Sequence, residues 1–482
     1  MSRILVGPFN RVEGDLEVQL EIEAQKVTSA RVNSTLFRGF EGMLQGRPPS
    51  DALVYAPRIC GICSVSQSVA AAQALSQIYG ITPPENGQRA INLMLANENA
   101  ADLLTHFYLF FMPDFARGIY KDRPWFADSQ KRFKAMQGVS SARAIEARSH
   151  WLKMMGTLAG HWPHTLAIQP GGCSRSLNDA EVMQMLLYAQ KLRHFLETFL
   201  LHDRLENFLS LENETDLQSW QQQHTDSDLG LFLSIAADLA LHKLGKSDAL
   251  LMSYGSFPES DGQRLIPSGV YRNGEFQLLN PSHIQEDISH ANYQGDLHSS
   301  PWHQAQTPHL DNPDAYSWCK APRLKGEVAE TGSLARQVMA KQPLILDLVQ
   351  RYGSCVYSRI LARTLELVKL TVQVESWLQQ GFSETGHFFT EPGDIVHQRG
   401  VGLIEAARGS LGHWLEVKNN RIYSYQIIAP TTWNFSPRDQ QNTPGALEKA
   451  LENTPLYDGE TDPVNVQHIV RSFDPCMVCT VH

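Results

Sequence analysis

Cysteine is scarce in this chain, with seven residues among 482. A low and odd count in so long a sequence does not indicate a disulfide scaffold, which needs many paired cysteines in a short secreted chain. Four of the seven nevertheless form two Cys-x-x-Cys pairs, Cys60 with Cys63 and Cys476 with Cys479. Such pairs indicate metal binding or redox chemistry in a reducing compartment.

An excess of basic charge and a long apolar run are missing too. The formal net charge is −10 and the pI is near 6.0, which argues against nucleic-acid binding because that function usually shows as a basic patch. The first residues lack the basic stretch and apolar segment of a signal peptide. No apolar run reaches the roughly 18 residues of a membrane-spanning helix. We therefore expect a cytoplasmic protein with no direct membrane span.

The composition is that of a folded globular protein. Hydrophobic residues make up 42% and charged residues 19% of the chain, so a large core can form and disorder is not expected. The length allows one large domain or several ordinary ones. No internal repeat or low-complexity linker divides the sequence, and its two ends carry similar cysteine chemistry. We predict a single interwoven domain over residues 1–482.

Hydrophobic periodicity predicts a mostly helical fold. Helical spacing of apolar residues indicates four regions: 64–79, Pro83 to about Phe111, 179–211 and 333–378. Alternating or turn-rich sequence predicts short strands in three others: 4–36, 245–325 and 385–430. The expected class is α+β, predominantly helical, with a core of long bundled helices and small peripheral antiparallel sheets.

The two cysteine pairs lie at opposite ends of the sequence. Pro475 suits the first position of a helix with Asp474 as N-cap, which would put Cys476 and Cys479 on one helical face. Two such pairs form a four-sulfur site that favours zinc, iron–sulfur or nickel over hard cations. Zinc ribbons keep both pairs within about 20 residues, and neither flank resembles a thioredoxin-like motif. A buried catalytic metal is the prediction, with structural zinc or a redox pair as alternatives.

Longer motifs resemble the signatures of nickel–iron hydrogenase large subunits. Both cysteine motifs match, as Arg58-Ile-Cys-Gly-Ile-Cys63 and Asp474-Pro-Cys-Met-Val-Cys-Thr-Val-His482. Pro8-Phe-Asn-Arg-Val-Glu-Gly14 resembles the N-terminal signature. Further similar segments are Phe37–Glu41, Asp102–Tyr108, Tyr316–Arg323, Glu405–Trp414 and Ala429–Asp439. The resemblance covers the chain from end to end, and the joint occurrence of so many motifs is specific.

The resemblance implies the fold of that family and its reaction, the reversible cleavage of H2 into protons and electrons at a Ni–Fe(CN)2(CO) centre. By this resemblance Cys60 and Cys476 would be terminal nickel ligands, and Cys63 and Cys479 would bridge nickel and iron. Thiolates suit these roles because they are soft and rich in electrons.

Side chains around the centre also acquire roles from the resemblance. Glu13 resembles the proton-relay glutamate beside a terminal thiolate. Arg408 resembles the arginine over the open metal face, where a guanidinium can polarise H2 or donate to a cyanide. Asp102 and Asp474 resemble the acids that hold this arginine, and Thr431 would donate a hydrogen bond to the second cyanide.

The family further implies a second metal site and a partner. A hard cation, usually Mg²⁺, would be held by Glu41, the side chain of His482 and a backbone carbonyl near Ile428, with waters completing the octahedron. No cluster ligands remain once the four cysteines are used. Iron–sulfur clusters are therefore expected only in a small partner subunit, in a heterodimer or a dimer of heterodimers.

Two departures from the family pattern are informative. Most members have His four residues after the second cysteine of the first pair, where this chain has Gln67, which can donate a hydrogen bond but cannot titrate. The N-terminal signature is followed by Asp15 instead of His. Gln67 resembles the regulatory, H2-sensing branch, as do Ile62 and Phe110, whose bulk would narrow the gas channel against O2. Ordinary core packing is the alternative for the last two.

Three functions stay open at this point. The first is an H2 sensor that signals to a histidine kinase and so controls hydrogenase genes; sensor-branch chains typically end, as here, at the final His. The second is an energy-conserving uptake hydrogenase in which Gln67 is a local variation. The third is a metal-free relic or a scaffold subunit of a respiratory complex, but such relatives lose the cysteine ligands and this chain retains all four. The remaining cysteines, Cys173, Cys319 and Cys355, are expected to be buried as small apolar residues.

Overall fold

Helices form the larger part of the structure, a computed structural model that describes residues 2–259, 262–303, 306–457, 459–460 and 462–482. The longest helices, α4, α6, α7 and α13, pack against one another as a central bundle. Two π-helical turns, His106–Phe111 and Leu196–Leu201, extend α4 and α7. The α-helices are α1 (Phe40–Leu44), α2 (Ala52–Tyr55), α3 (Ser64–Tyr79), α4 (Glu85–Thr105), α5 (Phe126–Phe133), α6 (Val139–Ala159), α7 (Asp179–Phe195), α8 (Leu205–Leu209), α9 (Glu214–Gln223), α10 (Asp228–Asp238), α11 (Ser333–Met339), α12 (Pro343–Tyr352), α13 (Val356–Gln380), α14 (Pro430–Asn434), α15 (Ala446–Leu451), α16 (Val464–Phe473) and α17 (Met477–Thr480).

The strands are short and form small sheets around this bundle. They are β1 (Ser2–Val6), β2 (Leu16–Glu23), β3 (Lys26–Ser34), β4 (Ile168–Gln169), β5 (Gly172–Cys173), β6 (Leu250–Ser253), β7 (Ser256–Pro258), β8 (Arg264–Ile266), β9 (Gly269–Arg272), β10 (Glu275–Gln277), β11 (Ile284–Asp287), β12 (Tyr293–Gly295), β13 (His298–Ser299), β14 (Gln306–Pro308), β15 (Ala321–Leu324), β16 (Ala329–Glu330), β17 (Arg399–Ala406), β18 (Gly409–Lys418) and β19 (Arg421–Ile428). Sheets β1-β2-β3 and β17-β18-β19 are antiparallel meanders, whereas β6 pairs with β16 in parallel. The predicted α+β class, predominantly helical with small sheets, is confirmed.

Most predicted elements lie where the sequence placed them. Helix α3 covers the predicted 64–79 and ends at Gly80, whose left-handed φ of 63° suits glycine. The predicted helix over 179–211 is broken instead at His202, which has a φ of 54°. The segment 333–378 forms three helices, not one. Helix α6 was missed because much of its buried face consists of alanine and serine, which carry little hydrophobic signal.

One hydrophobic cluster joins buried side chains from Val6 to Cys479. A smaller cluster lies around Trp414 and Trp433. Within the described ranges, none of the helices combines the length and apolar character that a bilayer crossing requires. The single domain over residues 1–482 stays a prediction.

Helix α3 is held very close to strand β17 by two glycines of that strand. A Cβ atom added to Gly402 would lie 1.9 Å from the carbonyl oxygen of Ala70, and one added to Gly400 would lie 2.0 Å from that of Ala74. Only glycine permits so close an approach of two backbones. Because α3 begins directly after Cys63, this contact also fixes the position of the first cysteine pair.

We expect Gly402→Ala to lower the free energy of unfolding by about 3 kcal/mol, because the new methyl group must displace the α3 backbone. The matched control is Gly156→Ala in α6, where an added Cβ meets no atom within 4 Å. That change should raise stability by up to about 1 kcal/mol through helix propensity. Denaturant unfolding followed by circular dichroism measures both, and equal stabilities of the two variants would contradict the close contact.

Candidate metal centre

The four cysteines of the two distant pairs meet at one buried point. Their sulfur atoms all lie within 4.8 Å of one another, and among the described residues they are the cluster able to hold a metal ion. Sγ of Cys60 is 3.5 Å from Sγ of Cys476, and Sγ of Cys63 is 3.2 Å from Sγ of Cys479. Each side chain is at most 8% exposed. The head and the tail of the chain thus build one four-sulfur site.

The first pair is anchored by a carboxylate from another helix. Glu98 of α4 accepts hydrogen bonds from the backbone N–H groups of Val65 at 2.8 Å and Ser66 at 2.9 Å, both in the first turn of α3. The indole of Trp162 donates a further bond at 3.0 Å. Glu98 therefore caps α3 in place of an N-cap side chain, and burial raises its pKa to about 7.

The second pair is tied to the N-terminal motif through the backbone. The N–H of Met477 donates to the carbonyl oxygen of Glu13 at 2.7 Å, and Glu13 and Cys476 form an isolated parallel bridge. Arg38 joins both pairs, since its guanidinium donates to the carbonyl oxygens of Ile59 and Val478. The conformation of each cysteine loop thus depends on the other.

Asp474 does not cap a helix, contrary to the sequence prediction. It follows α16 with a left-handed φ of 58°, and α17 begins only after Cys476. The carboxylate is taken instead by two arginines: it lies 3.2 Å from Nε of Arg408 and 3.5 Å from Nη1 of Arg363. The cysteines still come together, because their sulfur atoms are 3.1 Å apart across the short turn.

Arg408 is clamped between two buried acids beside the sulfurs. Its Nη2 lies 3.1 Å from Asp102, and Asp474 holds its Nε. Burial disfavours the charged guanidinium, but the two acids outweigh it and raise the pKa of Arg408. Among the described residues, its Nη1 has no hydrogen-bond partner although it is buried. A buried donor of this kind requires an acceptor, and it lines the same cavity as Cys63, Cys476 and Cys479.

Charge at the sulfurs favours a bound cation. Hydrogen bonds from the other thiols, Cys476 first, hold the pKa of Cys60 well below its ordinary value. Hydrogen bonds within the same group, together with burial, raise the pKa of Cys63 and of Cys479 well above it. One thiolate is thus stable here, and further ionisation requires positive charge among the sulfurs. The soft donor set and the unpaired buried N–H fit a thiophilic metal that carries acceptor ligands.

Other predicted residues border this site. Ile62, Gln67 and Thr431 line the cavity, whereas Phe110 is not among its lining residues. Thr431 accepts a hydrogen bond from the N–H of Cys476 at 3.0 Å. Glu13 is half-buried, and burial followed by the nearby Cys60 raises its pKa. The backbone of Glu13 therefore contacts one pair while its carboxyl group senses the other.

The predicted hard-cation residues also meet. Nε2 of His482 lies 3.3 Å from Glu41 and 2.6 Å from the carbonyl oxygen of Ile427, which is the residue before the predicted Ile428. Sequence reasoning missed two neighbours, because nothing marks a lone Lys or Glu in a strand. Lys320 lies 3.8 Å from both Glu41 and Glu286, and burial raises the pKa of Glu286 to about 7.

A buried four-sulfur site, assembled from both ends of a large helical chain and faced by a clamped arginine, defines a metal-dependent redox protein. The sequence profile of the nickel-dependent hydrogenases matches residues 38–141 and 115–482. The chain belongs to this family, as the large subunit of a nickel–iron hydrogenase, an oxidoreductase that acts on H2.

Known proteins similar to this chain cover its whole length. It is 28% identical over 526 residues to the periplasmic [NiFeSe] hydrogenase large subunit of Desulfomicrobium baculatum, with 100% of this chain and 95% of the relative covered. It is 26% identical over 582 residues to the uptake hydrogenase large subunit of Rhodobacter capsulatus, with the same two coverages, 100% and 95%. The solved [NiFeSe] hydrogenase of Dm. baculatum matches with a TM-score of 0.86 at 26% identity, covering 100% of both chains. The predicted large-subunit fold is confirmed.

We expect Glu98→Ala to lower the free energy of unfolding by about 2 kcal/mol, because it leaves buried N–H groups of α3 and Trp162 without an acceptor. The matched control is Glu85→Ala in the same helix, where an exposed carboxylate pairs only with Arg89 at 3.0 Å. The control should change stability by less than about 0.5 kcal/mol. Denaturant melts of both variants test this, and losses of equal size would rule out the capping role.

Proposed function

We propose that this subunit cleaves H2 at a Ni–Fe(CN)2(CO) centre held by its four converging cysteines. Cys60 and Cys476 serve as terminal nickel ligands, and Cys63 and Cys479 as ligands shared with iron. The observation that carries the proposal is the meeting of these sulfurs within 4.8 Å at a buried point. When bound, the centre supplies the Lewis acidity and the two-electron redox chemistry that H2 cleavage needs.

The surrounding side chains orient and move protons in this proposal. Arg408, fixed by Asp102 and Asp474, keeps a permanent positive charge at the cavity and polarises H2 there. Glu13 takes a proton from a terminal thiolate and passes it outward, since it is half-buried and its backbone joins the cysteine loop. The unpaired Nη1 of Arg408 donates to one cyanide. The Thr431 hydroxyl, which accepts from the Cys476 N–H, keeps its own proton for the other.

The cluster at the C-terminus suits a hard cation such as Mg²⁺. Glu41, His482 and the Ile427 carbonyl, next to the predicted Ile428, supply oxygen and nitrogen donors, and waters would complete the octahedron. Glu286 adds a second carboxylate whose pKa burial raises, so added positive charge would stabilise its ionised form. Because His482 lies three residues after Cys479, such a cation would also fix the tail that carries the second pair.

Electrons released at the centre need an exit through a partner. In the described part of the chain, Cys173, Cys319 and Cys355 are buried and belong to no metal cluster. Iron–sulfur clusters are therefore assigned to a small subunit, in a heterodimer or a dimer of heterodimers. We further propose that residues 1–482 act as one domain in that assembly.

Within the family we favour the H2-sensing branch, which signals to a histidine kinase in the cytoplasm. The support is Gln67 in place of the usual His and the bulky pair Ile62 and Phe110, of which Ile62 lines the cavity. Energy-conserving H2 uptake is the second candidate, and the Rhodobacter relative carries that function in its name. The two differ in whether H2 cleavage is read by a kinase or feeds a respiratory chain.

Cys476→Ala should abolish H2 cleavage and reduce bound nickel, because it removes one of the four sulfurs. In the purified heterodimer, metal analysis should find one nickel in the unaltered subunit, and infrared spectra should show cyanide and CO bands. The control is Cys173→Ala, a buried cysteine outside the cluster, which should retain both. Zinc alone in the unaltered subunit, or full turnover by Cys476→Ala, would refute the assignment of the site.

The sensing role predicts that deleting this gene abolishes the H2-dependent rise in hydrogenase-gene transcription in the native host. A reporter fused to a hydrogenase promoter, with and without H2, measures the response. Complementation with the unaltered gene or with Cys173→Ala should restore it, and complementation with Cys476→Ala should not. A deletion strain that still responds, while losing growth on H2, would replace sensing with uptake.

A further inference from the structure

A buried chain of side chains runs away from one of the cysteine sulfurs. Nε2 of Gln67 on α3 lies 4.0 Å from Sγ of Cys479, and its Oε1 lies 2.8 Å from Nε2 of His413 on β18. Nδ1 of the same imidazole lies 2.7 Å from the hydroxyl of Tyr425 on β19. None of Gln67, His413 and Tyr425 is more than 1% exposed. Three elements thus contribute one continuous polar path ending at a sulfur.

Only one arrangement of protons satisfies the whole chain. If the Tyr425 hydroxyl donates to Nδ1, the neutral imidazole carries its proton on Nε2 and donates to Oε1 of Gln67, and the amide N–H groups face Cys479. In the opposite arrangement the imidazole donates to Tyr425, whose own proton then has no acceptor. The amide of Gln67 would also turn its carbonyl oxygen toward an electron-rich sulfur. Both faults are unfavourable in a buried site.

The imidazole itself stays neutral in this environment. Burial lowers the pKa of His413 to about 3, and the nearby His482 adds to the effect. Burial also raises the pKa of Tyr425, so its hydroxyl keeps the proton that it donates. Edge-to-face packing of the two rings, with centroids 5.5 Å apart, fixes their orientation.

We propose that Tyr425 and His413 are positioning residues that fix the amide of Gln67 so that its N–H points at the sulfur of Cys479. The inference rests on the proposed function in one respect, the role of Cys479 as a ligand shared by nickel and iron. Hydrogen bonds to a metal-bound thiolate withdraw electron density from it and so tune the metal. Tyr425 therefore influences the metal centre without touching it, through two intervening side chains.

The matched test is Tyr425→Phe against Tyr423→Phe, which removes a 53% exposed hydroxyl from the same strand. Both are made in the heterodimer with ¹⁵N-labelled histidine. In the unaltered protein the nitrogen chemical shifts of His413 should show a proton on Nε2 and none on Nδ1. Tyr425→Phe should disturb this tautomer and lower the CO stretching frequency on iron, because the sulfur becomes richer in electrons. Tyr423→Phe should change neither.

A double-variant cycle separates this relay from a general structural effect. Gln67→Ala should lower the CO frequency by a similar amount, and Gln67→Ala combined with Tyr425→Phe should lower it no further. Additive shifts would overturn the inference, because Tyr425 would then act by another route. An Nδ1-protonated His413 in the unaltered protein would overturn it as well. If the unaltered protein lacks CO and cyanide bands, the proposed function fails, and the His413 tautomer with its dependence on Tyr425 still decides the positioning.

Discussion

The rest of the structure depends on holding four cysteine sulfurs together in a buried place. Mutual contact at 3.1 to 3.5 Å leaves room for only one thiolate unless positive charge is supplied. The chain supplies part of that charge through Arg408, whose own burial is tolerated because Asp102 and Asp474 clamp it. A metal ion among the sulfurs would supply the remainder. Each of these groups is strongly unfavourable alone in the interior and is stabilised only by the others.

Such a site has to be assembled from rigid supports on both sides. Glu98 and the glycine contact of Gly402 with Ala70 fix α3, and so the first pair. The left-handed Asp474 and the backbone bond from Met477 to Glu13 fix the second. Because Arg38 donates to carbonyls of both loops, neither pair can shift without the other. The site therefore belongs to the whole fold and to no single motif.

Much of this could be predicted from the sequence, because the cysteine pairs and the long motifs mark the site directly and α3 and α4 follow from apolar spacing. The role of Asp474 could not, since a residue before Pro475 reads as an N-cap until two distant arginines take its carboxylate. Glu98 and Arg363 carry no local signal, because a lone charged residue in a helix is usually solvated. His413 lies inside a recognised motif, but its partners Gln67 and Tyr425 are distant in sequence. Sequence patterns thus find ligands more readily than the residues that orient them.

The surroundings of the site divide into a side that titrates and a side that does not. Glu13 and Asp102 are carboxyl groups whose pKa is raised by burial, which suits groups that exchange protons near neutral pH. On the opposite side, Gln67 cannot titrate, the pKa of His413 is lowered to about 3 and that of Tyr425 is raised. A histidine at position 67 would put a titratable group against Cys479, whereas glutamine makes the hydrogen bond to that sulfur independent of pH. Constant electronic tuning of this kind suits a subunit whose output is a signal, because the response to H2 then does not drift with the proton concentration.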